Sequence, residues 1–98
     1  MIDSDETEII GNWILKDGRM IGDEGCERVH RLTIDYLVKI GSDSIGWDTL
    51  FRDPRDNRFW ERIYLQSEMH GGGPPSLRYI SDDEAKTKYA NLFITNND

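Results

Sequence analysis

The stretch Trp47 to Ile80, WDTLFRDPRDNRFWERIYLQSEMHGGGPPSLRYI, decides how this chain folds. It holds two of the three Trp, two of the three Phe, two of the four Tyr and all three Pro. Two runs of aromatic and aliphatic residues, Trp47–Arg52 and Phe59–Leu65, flank the polar segment 53–58, DPRDNR. Pro presets a turn dihedral, and Asp and Asn close turns through their side chains, so the segment predicts a strand–loop–strand hairpin. Next comes His70-Gly71-Gly72-Gly73-Pro74-Pro75, a run that marks a loop with special backbone dihedrals. A short strand, Leu77–Ile80, is then expected to return to the sheet.

Working outward, Ile9–Leu15 is a first apolar run, broken at Lys16-Asp17-Gly18. Asp-Gly between apolar segments is a hairpin signal, which makes Met20-Ile21 a brief returning strand. Cys26, Val29, Thr33, Tyr36, Leu37 and Ile40, with Leu32 beside them, recur at spacings of three and four. That period predicts a helix over 24–40, capped by Asp23, with Glu24 and Glu27 in its first turn and Gly41 as its stop. Ser81-Asp82-Asp83-Glu84 matches a capping box and opens a second helix over 82–91, with Ala85 and Tyr89 on its inner side. The whole predicts a single α+β domain over 9–95: a small, hairpin-rich antiparallel sheet of four to five strands packed against two helices. The acidic segment 1–8 reads as flexible.

Composition narrows the function. A chain of 98 residues is one domain, and its 37% hydrophobic content suffices for a modest core. The single cysteine, Cys26, excludes an internal disulfide and reads as a small buried hydrophobe. An acidic N-terminus and the lack of any long apolar run point to a cytoplasmic protein away from membranes. The net charge of −7 gathers at the ends, in Asp3, Asp5, Glu6 and Glu8 and again in Asp82, Asp83, Glu84 and Asp98. An acidic field repels phosphate backbones, so nucleic acid is not the expected partner.

Candidate chemistry is thin. His70-Gly71-Gly72-Gly73 invites comparison with the oxyanion loop of α/β-hydrolases, but that fold needs a far longer chain and a G-x-S-x-G elbow. The nearest string, 41–46, GSDSIG, has Asp where the nucleophile belongs. No phosphate-loop pattern occurs, and His30 and His70 lie in no cluster with ligand spacing, so neither cofactor nor metal is expected. The glycine loop is either a structural close approach or a partner contact. Glu61 lies mid-strand on a face with Phe59 and Ile63, and such a charge must pair or be solvated, with Arg52 or Arg78 as candidate partners. Trp60 and Tyr64 on the opposite face are interface anchors if exposed, and core if a helix covers them. The residues expected to meet a partner are Trp60, Glu61, Tyr64, His70, Gly71, Gly72, Gly73, Asp82 and Asp83.

The run GW-D-TL-FRDP-D-RFWE-Y-S-MHGGGPP-LRYIS, from Gly46 to Ser81, resembles the immunity protein 27 family of bacterial polymorphic toxin systems. Gly11-Asn12-Trp13 and Cys26–Val29 match as well, so the likeness spans roughly residues 7–89. Asn57 departs from the Gly expected in the turn, yet Asn also tolerates left-handed backbone. The resemblance implies a non-enzymatic inhibitor that binds and neutralises a toxin domain by steric block. The alternative class is a small enzyme or adaptor subunit using the 70–73 loop, with His70 and Glu61 as an acid–base pair.

Overall fold

Strand alternation in the central hairpin organises the protein into layers. The computed structural model describes residues 2–44, 46–64 and 73–93. In chain order the elements are β1 (Glu8–Ile9), β2 (Trp13–Lys16), β3 (Arg19–Gly22), α1 (Glu24–Asp35), β4 (Val38–Ser42), β5 (Thr49–Arg52), β6 (Phe59–Tyr64), β7 (Pro75–Ile80) and α2 (Asp82–Lys88). A 3-10 turn, Ala90–Leu92, follows. Five strands form one antiparallel sheet in the order β1-β7-β6-β5-β4, and β2–β3 is a separate hairpin. The fold is α+β, as expected.

The central hairpin forms as its turn chemistry predicts. Asp53 Oδ1 accepts from the Arg55 amide at 2.8 Å, and Asp56 Oδ1 from the Arg58 amide at 3.0 Å. Asn57 sits at φ 64°, the left-handed conformation its side chain tolerates. The Asp17-Gly18 turn likewise has both residues at positive φ, which matches a tight hairpin. Alternate residues of the central strands face one of two cores. On one face, Phe51, Trp60, Leu77 and Ile9 pack under α1 with Val29, Leu32 and Leu37. On the other, Leu50 and Ile80 pack against Ala85 and Tyr89, with Phe59, Ile40 and Leu92 at the margin.

Both predicted helices are shorter than the periodicity indicates. The 24–40 helix stops at Asp35, where the amides of Tyr36 and Leu37 both return to the Leu32 carbonyl, at 3.2 and 2.7 Å. Leu37 then turns into the core, and Val38–Ser42 becomes an edge strand paired with β5. A β-branched segment beside an open strand edge gains ladder bonds and packing that override the helical period. Gly41 is therefore no helix stop: it lies in β4, where a Cβ would stand 2.7 Å from Leu92 Cδ2. The second helix ends at Lys88 rather than residue 91, with Tyr89 as its cap. Its start is as predicted, for Ser81 Oγ accepts from the Glu84 amide at 3.1 Å and Glu84 Oε1 from the Ser81 amide at 3.3 Å. The Asp23 cap also forms, onto the Cys26 amide at 3.0 Å.

The acidic N-terminal segment, read from sequence as flexible, lies against the domain over residues 2–8. Ile2 is fully buried in the core beneath α1. Glu6 meets Arg28 through both oxygens at 2.7 and 2.8 Å, and Arg58 donates to the carbonyls of Glu6 and Asp3 at 2.9 and 3.1 Å. Arg55 donates to the Ile2 carbonyl. Four acidic side chains in a short segment signal a solvated tail when read alone. Three arginines brought alongside by α1 and the central turn contact it here.

Candidate partner interface

Glu61 anchors the charged side of the molecule. It is 0% exposed, and cross-strand register sets it between Leu50 and Arg78. Arg78 Nε donates to Oε2, while Lys88 Nζ at 2.7 Å and the Tyr89 hydroxyl at 3.0 Å donate to Oε1. Lys88 also meets Asp48 at 2.7 Å, which ties the loop before β5 to the end of α2. Burial pushes the Glu61 carboxyl up, but the donated bonds outweigh it, so its pKa lies below the usual carboxylate value. Burial and the facing carboxylate push the Tyr89 hydroxyl up. Of the two partners the sequence offered, Arg78 takes the role. Arg52 bonds Asn57 Oδ1 instead, at 2.8 Å.

Above this network lies an open groove of about 370 Å³, lined by Arg78, Ile80, Asp83, Glu84, Thr87 and Lys88. Asp83 of this lining and its neighbour Asp82 stand exposed in the first turn of α2, where the positive end of the helix favours carboxylates. Trp47, 58% exposed, precedes the Asp48 that binds Lys88. The groove is thus built on a salt-bridged floor with an apolar strip and acidic lip. Such an arrangement can receive a partner's side chains, because its own charges are already fixed in place.

The other expected contact residues distribute differently. Trp60 is fully buried beneath α1, so it is core and offers no surface to a partner. Arg58 lies 5.1 Å from its ring centroid, and Tyr79 packs edge-on at 6.3 Å. Glu61 is buried too, and holds Arg78, Lys88 and Tyr89. Tyr64 is half-buried on the α1 side, 5.8 Å from the Arg62 guanidinium, and Gly73 is buried. His70, Gly71 and Gly72 lie outside the described residues, so no placement for the predicted acid–base pair is described. The two faces of the sheet therefore separate Trp60 and Tyr64 from Glu61, Asp82 and Asp83. Among the described residues no group of three His, Cys, Asp or Glu side chains could hold a metal ion. No helix among them is long and apolar enough to cross a membrane.

Sequence reasoning missed Lys88 and Tyr89 as partners of Glu61, since they reach it from a helix distant in the chain. It also missed the exposed Trp47 and the apolar residues of β2–β3. The Asp17-Gly18 hairpin signal locates those strands but does not say whether another layer covers them.

A measurable consequence attaches to the N-terminal contact. Hydrogen bonding from Arg28 holds the Glu6 carboxyl at about 2, below its ordinary value near 4.3. A depressed carboxylate stabilises the fold above its unfolded pKa, and that contribution is lost as pH falls through the folded value. Stability should therefore decline between about pH 5 and pH 2, with Glu61 acting in the same direction. In Arg28→Ala the acid limb of a urea-midpoint-versus-pH curve should be shallower. An unchanged limb would rule Glu6 out as a contributor.

Fold and site together define a small α+β protein in which the buried charges serve architecture. The family model for immunity protein 27 matches residues 15–81, most of the chain, and the protein belongs to that family. No curated protein and no solved structure matches it.

Proposed function

We propose that the protein is a non-enzymatic inhibitor that binds a cognate bacterial toxin domain and blocks it sterically in the cytoplasm, protecting the producing cell and its kin. Membership of the immunity protein 27 family carries this reading. The surface chemistry supports it: an acidic-lipped groove on a fixed ionic floor is a preformed surface of the kind rigid inhibitors use. Within this reading Asp82, Asp83, Tyr64 and residues 70–73 are contact residues, and Glu61 keeps Arg78 and Lys88 in register along the groove. The test is co-expression with the toxin domain encoded by the neighbouring gene. Growth should be rescued, and a stoichiometric complex should survive size-exclusion chromatography. Cells that die despite soluble, folded inhibitor would sink the proposal.

A further inference from the structure

The β2–β3 hairpin stands apart from the five-stranded sheet and makes a two-stranded sheet alone. Its register pairs Ile14 with Ile21, Leu15 with Met20 and Lys16 with Arg19. Alternation then puts Leu15 and Met20 on one face, and Ile14, Ile21, Lys16 and Arg19 on the other. Leu15 is 72% exposed, Met20 60%, Ile14 42% and Ile21 37%. Both faces thus present apolar side chains to solvent. A lone two-stranded hairpin is marginal in water, and clustered exposed apolar side chains mark an interaction surface. Among the described residues the hairpin is anchored at its base. There the Asp23 amide donates to the Asn12 carbonyl at 2.9 Å, and Gly22 sits so close to Cys26 that a Cβ would approach its side chain to 2.8 Å.

Charge identifies what fits the tip. Lys16 and Arg19 are directly opposite, and like charges in that relation repel. Residues 13–22 carry these two bases and one acid, Asp17, on a chain whose net charge is −7. The hairpin is thus a locally cationic, apolar projection from an acidic body. We infer that it is the principal anchor for the toxin domain, inserting into an apolar cleft rimmed by carboxylates; this deepens the inhibitor reading and rests on it. The cleft covers Leu15 and Met20, while its carboxylates relieve the repulsion between Lys16 and Arg19. A second copy of this chain is the poorer occupant, since two bodies of charge −7 repel at long range.

The full-length protein and the toxin domain encoded by the neighbouring gene supply the test, by calorimetry and stopped-flow association. Leu15→Ser with Met20→Ser, Lys16→Glu with Arg19→Glu, and Asp82→Lys with Asp83→Lys on α2 are compared. All six side chains are exposed, so the hairpin variants should melt with wild type, while the lysine pair at the positive end of α2 should melt slightly lower. The serine pair should weaken binding about 100-fold, chiefly through faster dissociation. The glutamate pair should slow association about tenfold, a difference that shrinks in high salt. Wild type that binds while both hairpin variants bind equally well overturns this inference alone. Wild type that fails to bind overturns the inhibitor reading, and the inference with it. A wild-type homodimer abolished by the serine pair would assign the hairpin to a second copy and also overturn it.

Discussion

Glu61→Ala is expected to lower the unfolding free energy by about 3 kcal/mol, near the low end for breaking a buried ion pair. The low end applies because two of its three donors have somewhere else to go. Lys88 keeps Asp48 at 2.7 Å, and Arg78 is 44% exposed with Glu84 at 3.9 Å. Tyr89 has no such escape: its side chain is wholly buried, and its hydroxyl would lose the Glu61 carboxylate. An orphaned buried hydroxyl costs about 1–3 kcal/mol, and the lost packing accounts for the remainder. In a domain this small the melting midpoint should fall by about 15 °C. Glu61→Met combined with Tyr89→Phe should recover most of the loss, because filling the site with apolar volume leaves no unpartnered polar group. Urea denaturation of wild type, Glu61→Ala and the Glu61→Met/Tyr89→Phe double variant checks the argument. If alanine at Glu61 costs under about 0.5 kcal/mol, the network behaves like exposed ion pairs and the burial argument fails.

Trp60→Ala should cost about 4 kcal/mol, the largest effect expected from one side chain here. Trp60 is 0% exposed and centred between Phe51 and Tyr79 in the sheet register. The damage should extend beyond the cavity. Arg58 rests over the Trp60 and Tyr79 rings while donating to the carbonyls of Asp3 and Glu6, so losing the ring loosens the clamp on residues 2–8. Hydrogen exchange should therefore accelerate at Glu6, whose amide donates to the Asp3 carbonyl at 3.1 Å, and at Tyr79, whose amide donates to Thr7. Trp60→Phe is a sharper control. It keeps most of the volume and removes an indole N–H that is buried without a hydrogen-bond partner among the described residues, so its cost should stay below about 1.5 kcal/mol. Equal losses for Phe and Ala would show that indole shape, not buried volume, governs the site.

Local chemistry made the sheet and its turns readable in the sequence. Asp53 and Asp56 close the central turn as their residue types require, Asp17-Gly18 makes the first hairpin, and Ser81 with Glu84 caps α2. Glu61 was legible as a charge needing a partner because period-two alternation sets it on a partly apolar face, and the strand register then selects Arg78. Three features depended on long-range geometry instead. Residues 36–40 continue a helical period but yield to the open edge of β5. The acidic segment 2–8 is held by arginines separated from it by 22 to 55 residues. Trp60 looked equally suited to surface or core until α1 was seen to cover its face.

Trp60 and Glu61 are adjacent in β6, yet one belongs beneath α1 and the other beneath α2. A strand that slipped by one residue would drive a carboxylate into the apolar layer under α1 and leave an indole facing Lys88. Such a misalignment forfeits both the hydrophobic and the ionic contributions at once, so slipped pairings lie far above the native one. This alternation acts as an error check on assembly. The buried carboxylate contributes modestly to the depth of the native well and more to its uniqueness. The central hairpin should accordingly fold without competing registers, even though its flanking helices pack on opposite sides.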